Sequence, residues 1–187
     1  MEEEIELYLD DAKENMEKAI KHTIAEFAKI RAGRATPAML DGLAVEYYGS
    51  MSPLHQVASI VAPDPRSIVI KPWEKNMVAA ITKVLRESNL GLNPIAEADL
   101  VRLNIPPLSG ERRQELVRKA KGEAEEGKIR VRAARKSAND GLKALQNEGA
   151  PEDAVRRAEE KVQAFTDQYI KKIDELLEVK EKDIMTV

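Results

Sequence analysis

Apolar residues recur at spacings of three and four in three separate stretches of this chain, and nothing else in it constrains the fold as strongly. In the first stretch Ile5, Leu9, Ala12, Met16, Ala19 and Thr23 hold the rhythm, with Ile20, Ile24 and Phe27 widening the stripe. In the second, Val117, Ala120, Ala124, Gly127, Val131, Ala134, Ala138, Gly141 and Leu145 continue it. Val155, Ala158, Val162, Phe165, Tyr169, Ile173 and Leu177 make the third. That periodicity places one apolar face on each of three helices. Such faces leave water by packing on one another, so the pattern predicts a three-helix bundle.

The first helix is expected over residues 2–30 and the second over 110–146, a rod of about 55 Å at 1.5 Å per residue. Pro106-Pro107 holds the preceding chain extended and Ser109 can cap the second helix. Gly149 suits a C-terminal cap, and Pro151 the first turn of a third helix running antiparallel to the second. Gly122, Gly127 and Gly141 each cost about 1 kcal/mol inside a helix, but on the seam they permit close approach.

Between the first two stretches the rhythm changes to that of strands. Leu43, Val45 and Tyr47 lead into Gly49, residues 57–61 are closed by Pro63-Asp64-Pro65, and residues 67–71 and 100–105 are further candidates. Met77, Ala80, Ile81, Val84 and Leu85 have helical spacing before Gly91. The expected fold class is therefore α+β: a long bundle from residues 1–30 and 106–187, with a small β/α/β domain inserted at 31–105. Arg31, Ala32, Gly33 and Arg34 at one crossing, with Asn104, Ile105 and Pro106 at the other, form a paired hinge candidate.

The 187 residues are 34% charged, 4% aromatic and free of cysteine, which excludes disulfides and thiol chemistry. No apolar run nears the roughly 18 residues that span a bilayer, and Met1-Glu2-Glu3-Glu4 is unlike a basic targeting segment, so a cytoplasmic protein is expected. A net charge of −3 argues weakly against nucleic acid, but the charges are segregated. Acids crowd the first helix, whereas the second carries a basic stripe of Arg118, Lys121, Lys128, Arg132, Arg135 and Lys143. The spacing is equally compatible with pairing to acids of the first helix and with a track for phosphates.

Enzyme signatures are missing. His22 and His55 have no metal-ligand spacing, Glu125-Glu126 and Asp10-Asp11 are neighbours that point to different helix faces, and no phosphate loop or nucleophile elbow is present. A non-enzymatic protein without metal or cofactor is expected. Trp73 can serve as a platform for a base, although filling the insert's core is the favoured role. One of Tyr47 and Tyr48 should be exposed.

Several runs together resemble one family. They are Ile30-Arg31-Ala32-Gly33-Arg34-Ala35-Thr36-Pro37, Val45-Glu46-Tyr47-Tyr48-Gly49 followed by Pro53-Leu54, Leu90-Gly91-Leu92-Asn93-Pro94, Ile105-Pro106-Pro107-Leu108 through Glu111-Arg112-Arg113, and Arg132-Ala133-Ala134-Arg135. In order and spacing they are similar to the ribosome recycling factors, over essentially the whole chain. The pattern departs at Lys136-Ser137, where an arginine and an acid are usual, and at Gly110, where an acid is usual.

The resemblance implies a two-domain, L-like molecule shaped somewhat like a transfer RNA. It implies a monomer that binds the post-termination ribosome through large-subunit ribosomal RNA and, with elongation factor G and GTP, separates the subunits; no membrane is involved. It makes Arg132 and Arg135 the leading ribosomal RNA contacts, with Arg112, Arg113, Arg118 and Lys128 next. The alternative from the residues alone is a coiled-coil scaffold or co-chaperone acting through protein contacts.

Overall fold

In chain order the elements are α1 (Glu2–Lys29), β1 (Ala44–Tyr47), β2 (Ser50–Pro53), α2 (Leu54–Val57), β3 (Ala58–Asp64), β4 (Ser67–Pro72), α3 (Val78–Glu87), β5 (Asn93–Ala96), β6 (Val101–Asn104), α4 (Gly110–Asn147) and α5 (Glu152–Met185). The computed structural model describes residues 1–31, 33–88 and 90–186, so the hinge candidate Ala32 lies outside the described residues. The chain divides into two units, Met1–Ala32 with Gly110–Thr186, and Gly33–Ser109. The bundle unit thus resumes at Gly110, later than the 106 expected. Residues 106–109 precede the first helical turn, and neither Pro106 nor Pro107 has an N–H to give to a helix.

In the bundle unit α1, α4 and α5 all pack on one another. Met16, Ala120, Ala124, Val131, Leu142, Val162, Ile173 and Ile184 are fully buried there. The predicted stripe holds through the middle of α1 and α4, shifts toward the ends of α4, and departs by one residue near the middle of α5. Leu116 and Leu142 are buried where Val117 and Gly141 were expected, Thr166 replaces Phe165, and Leu177 is only half-buried. The reason is geometric. A strict heptad drifts by about 20° per repeat against a 3.6-residue helix, so far from the centre the next position outward takes over the seam. Thr166 is tolerated because its hydroxyl donates to the Val162 carbonyl at 2.8 Å, and the buried Thr23 donates likewise to Ala19 at 2.9 Å.

Glycine at two seam positions answers to a specific neighbour. A Cβ on Gly127 would overlap Thr23 Oγ1 and come within 3.2 Å of Ile173 Cδ1, while one on Gly141 would fall against the Tyr8 ring. Around Gly122 nothing lies within 4 Å. Gly127→Ala should therefore destabilise by about 1–3 kcal/mol through overpacking. Gly122→Ala should instead stabilise by roughly 0.5–1 kcal/mol through helix propensity. Paired urea denaturation curves measure both, and equal effects would contradict the packing described. At the α4–α5 connection Gly149 adopts φ +109°, and the Ala150 N–H donates to the Leu145 carbonyl at 2.9 Å, closing α4 as its glycine predicts. Pro151 stands just before α5, its carbonyl accepting from Val155 at 3.1 Å.

The second unit is an antiparallel sheet of order β3-β4-β6-β5, with a separate β1–β2 hairpin. Ile68, Ile70, Val101 and Leu103 point inward against Ile81 and Leu85 of α3, with Val45 and Leu54 completing the core. Two strands are not legible as strands. β5 contains Pro94, acceptable because β5 is an edge strand, and β2 is a serine-rich segment held by its pairing with β1. Residues 54–57 form a helical turn, so β3 starts at Ala58.

Trp73 corrects the expectation of a core tryptophan: it is 68% exposed. In β4 Ile68, Ile70 and Pro72 are the inward set, so Trp73, one residue past Pro72, falls on the outward side of the alternation.

Candidate nucleic-acid interface

At about 100° per residue, Arg118, Lys121, Lys128, Arg132, Arg135 and Lys143 occupy roughly a quarter-turn of α4, beside the buried stripe and outside it. Their environments divide them. Among the described residues Arg118, Lys121, Arg132, Arg135 and Lys143 make no ion pair. All are exposed except Arg135, which is half-buried. The expectation of pairing to acids of α1 is not met for them. Five cations held on one face of α4, with no ion-pair partner among the described residues, are compatible with a track for phosphates.

Lys128 is different. Its Nζ lies 2.5 Å from Asp174 Oδ1 of α5 and 3.5 Å from Glu125, and its side chain is only 15% exposed. The Asp174 hydrogen bond, more than the opposing desolvation, holds the ammonium above the ordinary lysine range. For a base raised on folding, the stabilisation is complete below the unfolded-state value and is lost only as pH rises through the folded one, so the pair is intact at neutral pH. Lys128 pins α5 to α4.

Arg112 and Arg113 also have intramolecular ties. Arg112 donates to Glu115 at 2.9 Å. Arg113 is half-buried with its Nη1 3.4 Å from the Met185 carbonyl and its buried Nε unpaired. Two uncharged features lie beside these cations: Ile129, which the sequence did not single out, and Gly122, which was expected on the seam and is exposed instead. Ile129 is 54% exposed among the cations, and Gly122 leaves backbone uncovered beside Lys121.

The crossings between the units are built from hydrogen bonds of the insert. Asn104 pairs in β6 with Ser67 and Asn93, Ile105 N–H donates to the Arg66 carbonyl at 2.7 Å, and Ala35 N–H donates to Pro65 at 2.8 Å. Gly33 has φ +76°, and a Cβ there would lie 2.6 Å from Leu108 Cγ, so a side chain is excluded on both counts. His22 is half-exposed, 4.0 Å from Glu26, and His55 is exposed. No group of three or more metal-ligating side chains occurs among the described residues, and none of the described helices is long and apolar enough to cross a membrane.

A family model described as ribosome recycling factor matches residues 23–185. The chain belongs to the ribosome recycling factor family. It is 55% identical over 185 residues to the ribosome-recycling factor of Cytophaga hutchinsonii, covering 99% of this chain and 100% of that one. It is 51% identical over 187 residues to that of Flavobacterium psychrophilum, covering both chains in full. A solution structure of a ribosome recycling factor is similar with a TM-score of 0.74 at 42% identity, over 98% of each chain. A second similar structure, with a TM-score of 0.60 at 43% identity over 97% and 98% of the chains, is among models for the T. thermophilus ribosome recycling factor and the E. coli elongation factor G bound to the E. coli post-termination complex. Like those structures, this chain combines a long helical bundle with a small β-sheet domain.

Proposed function

We propose that the protein binds the post-termination ribosome by laying the basic face of α4 on large-subunit ribosomal RNA and, with elongation factor G and GTP, separates the subunits for a new round of translation. The observation that carries the reading is the set of α4 cations that make no ion pair among the described residues. Arg132 and Arg135 take phosphates, supported by Arg118, Lys121 and Lys143. Arginine forks match phosphate oxygens in pairs, and a rigid row of them reads backbone shape more than base sequence. Lys128 holds the helix pair that presents them, and Arg112 and Arg113 flank the face from the start of α4.

The protein acts as a monomeric, cytoplasmic, non-catalytic factor whose work is binding and displacement. Because Asn104 pairs within the sheet and Ile105 is tied to the Arg66 carbonyl, bending at the crossings falls on Arg31 and Gly33 and on Pro106 to Ser109. The scaffold or co-chaperone alternative finds no support in the comparisons.

Light scattering of purified post-termination ribosomes tests the function. Scattering should fall when the protein, elongation factor G and GTP are all present, and stay level when any one is withheld. An unchanged signal with all three would refute the reading.

A further inference from the structure

Tyr48 is the one non-glycine residue with positive φ, +48°, among the described residues. It and Gly49, at φ +81°, form the two-residue turn joining β1 to β2. A turn with positive φ at both positions favours asparagine or glycine at the first, and a bulky residue there is strained. Tyr48 gains no burial in return, being 77% exposed. Backbone strain retained for an exposed ring calls for a role for that ring.

The ring is also held in place. Glu74 accepts the Tyr48 hydroxyl at 2.9 Å through one oxygen and the Tyr47 hydroxyl at 3.1 Å through the other. The two tyrosine rings meet edge to face with centroids 4.5 Å apart. Trp73, adjacent to Glu74, has its backbone N–H anchored on the Val57 carbonyl at 3.0 Å while its indole stands 68% exposed. Lys71 and Lys75 lie two residues to either side of Trp73, both exposed and neither ion-paired among the described residues. They outnumber Glu74, whose oxygens are both occupied. A tyrosine ring held in place and an exposed indole, beside cations with no ion pair among the described residues, are the combination that takes single-stranded nucleic acid, where bases stack and phosphates pair. An apolar protein partner would have no use for the lysines.

We propose that Tyr48 and Trp73 form a second RNA contact of this protein, on the insert, stacking unpaired bases whose phosphates meet Lys71 and Lys75. The inference rests on the ribosomal RNA reading only for the source of those bases. Trp73 is the only tryptophan in the chain, so its fluorescence reports the contact directly.

The test titrates the full-length protein with a single-stranded oligoadenylate of about ten nucleotides and, separately, with an RNA duplex. The single strand should quench Trp73 strongly and the duplex weakly. Tyr48→Asn, which suits the turn, should weaken that affinity about fivefold or more while leaving the melting temperature unchanged or higher. Trp73→Leu should lower ribosome affinity about tenfold with its melting temperature unchanged.

Absence of quenching by the single strand would overturn the proposal, as would a Trp73→Leu protein that binds ribosomes as tightly as the parent. Loss of ribosome affinity without single-strand quenching would assign the patch to a protein contact and overturn base stacking. The oligonucleotide arm contains no ribosome, so quenching there combined with no ribosome binding at all would fault the proposed function and leave the stacking platform standing.

Discussion

Replacing Arg132 and Arg135 together with alanine should weaken ribosome binding by about 3–5 kcal/mol, on the order of a hundredfold to several-thousandfold, because each removes charge-assisted hydrogen bonds to phosphate. Stability should change by less than about 1 kcal/mol, since neither side chain has an ion-pair partner among the described residues to abandon. Lys128→Ala is the informative contrast. It removes the tie to Asp174, which is itself half-exposed, so its cost is about 1 kcal/mol of stability with a smaller effect on binding. Filter binding and thermal melts on the same preparations separate the two. If the double arginine variant mainly lowers the melting temperature, the stripe serves the fold and not a partner.

Excising residues 34–108 and bridging the ends with a short flexible linker should leave a helical protein that melts cooperatively, because α1, α4 and α5 bury their stripes on one another and the insert keeps a core of its own. The excised protein should still bind ribosomes through α4, and its subunit-splitting activity should fall below detection. Circular dichroism melts and the scattering assay check the two halves. An aggregated or unfolded product would show that the bundle depends on the insert, and full splitting would show that the insert has no part in displacement.

The features readable from the chain were those that depend on local spacing. Ile5 through Thr23 and Ala120 through Ala138 declare their buried faces because a helix repeats its surroundings every turn. Gly149 declares its cap because few other residues adopt its φ. What escaped depends on partners distant in sequence. Arg132 and Lys128 look alike in the stripe, and Asp174, distant in sequence on α5, together with Glu125, is what pairs Lys128 while Arg132 makes no ion pair among the described residues. Trp73 was placed wrongly because hydrophobicity alone does not say on which side of β4 the alternation will put it. β5 was missed because a proline argues against a strand until the strand is known to lie at an edge. Leu116 and Leu142 were passed over because a heptad written over so long a helix accumulates drift.

The claim on which the rest depends is that the unpaired cations of α4 bind phosphate. The salt dependence of ribosome binding measures this most directly, as the slope of log affinity against log salt concentration for the parent and for an Arg118, Arg132 and Arg135 triple alanine variant. Each lost phosphate contact should reduce the magnitude of the slope by about 0.7–0.9, so the triple variant should be shallower by roughly two to three. Parallel slopes, whatever the difference in affinity, would contradict the account.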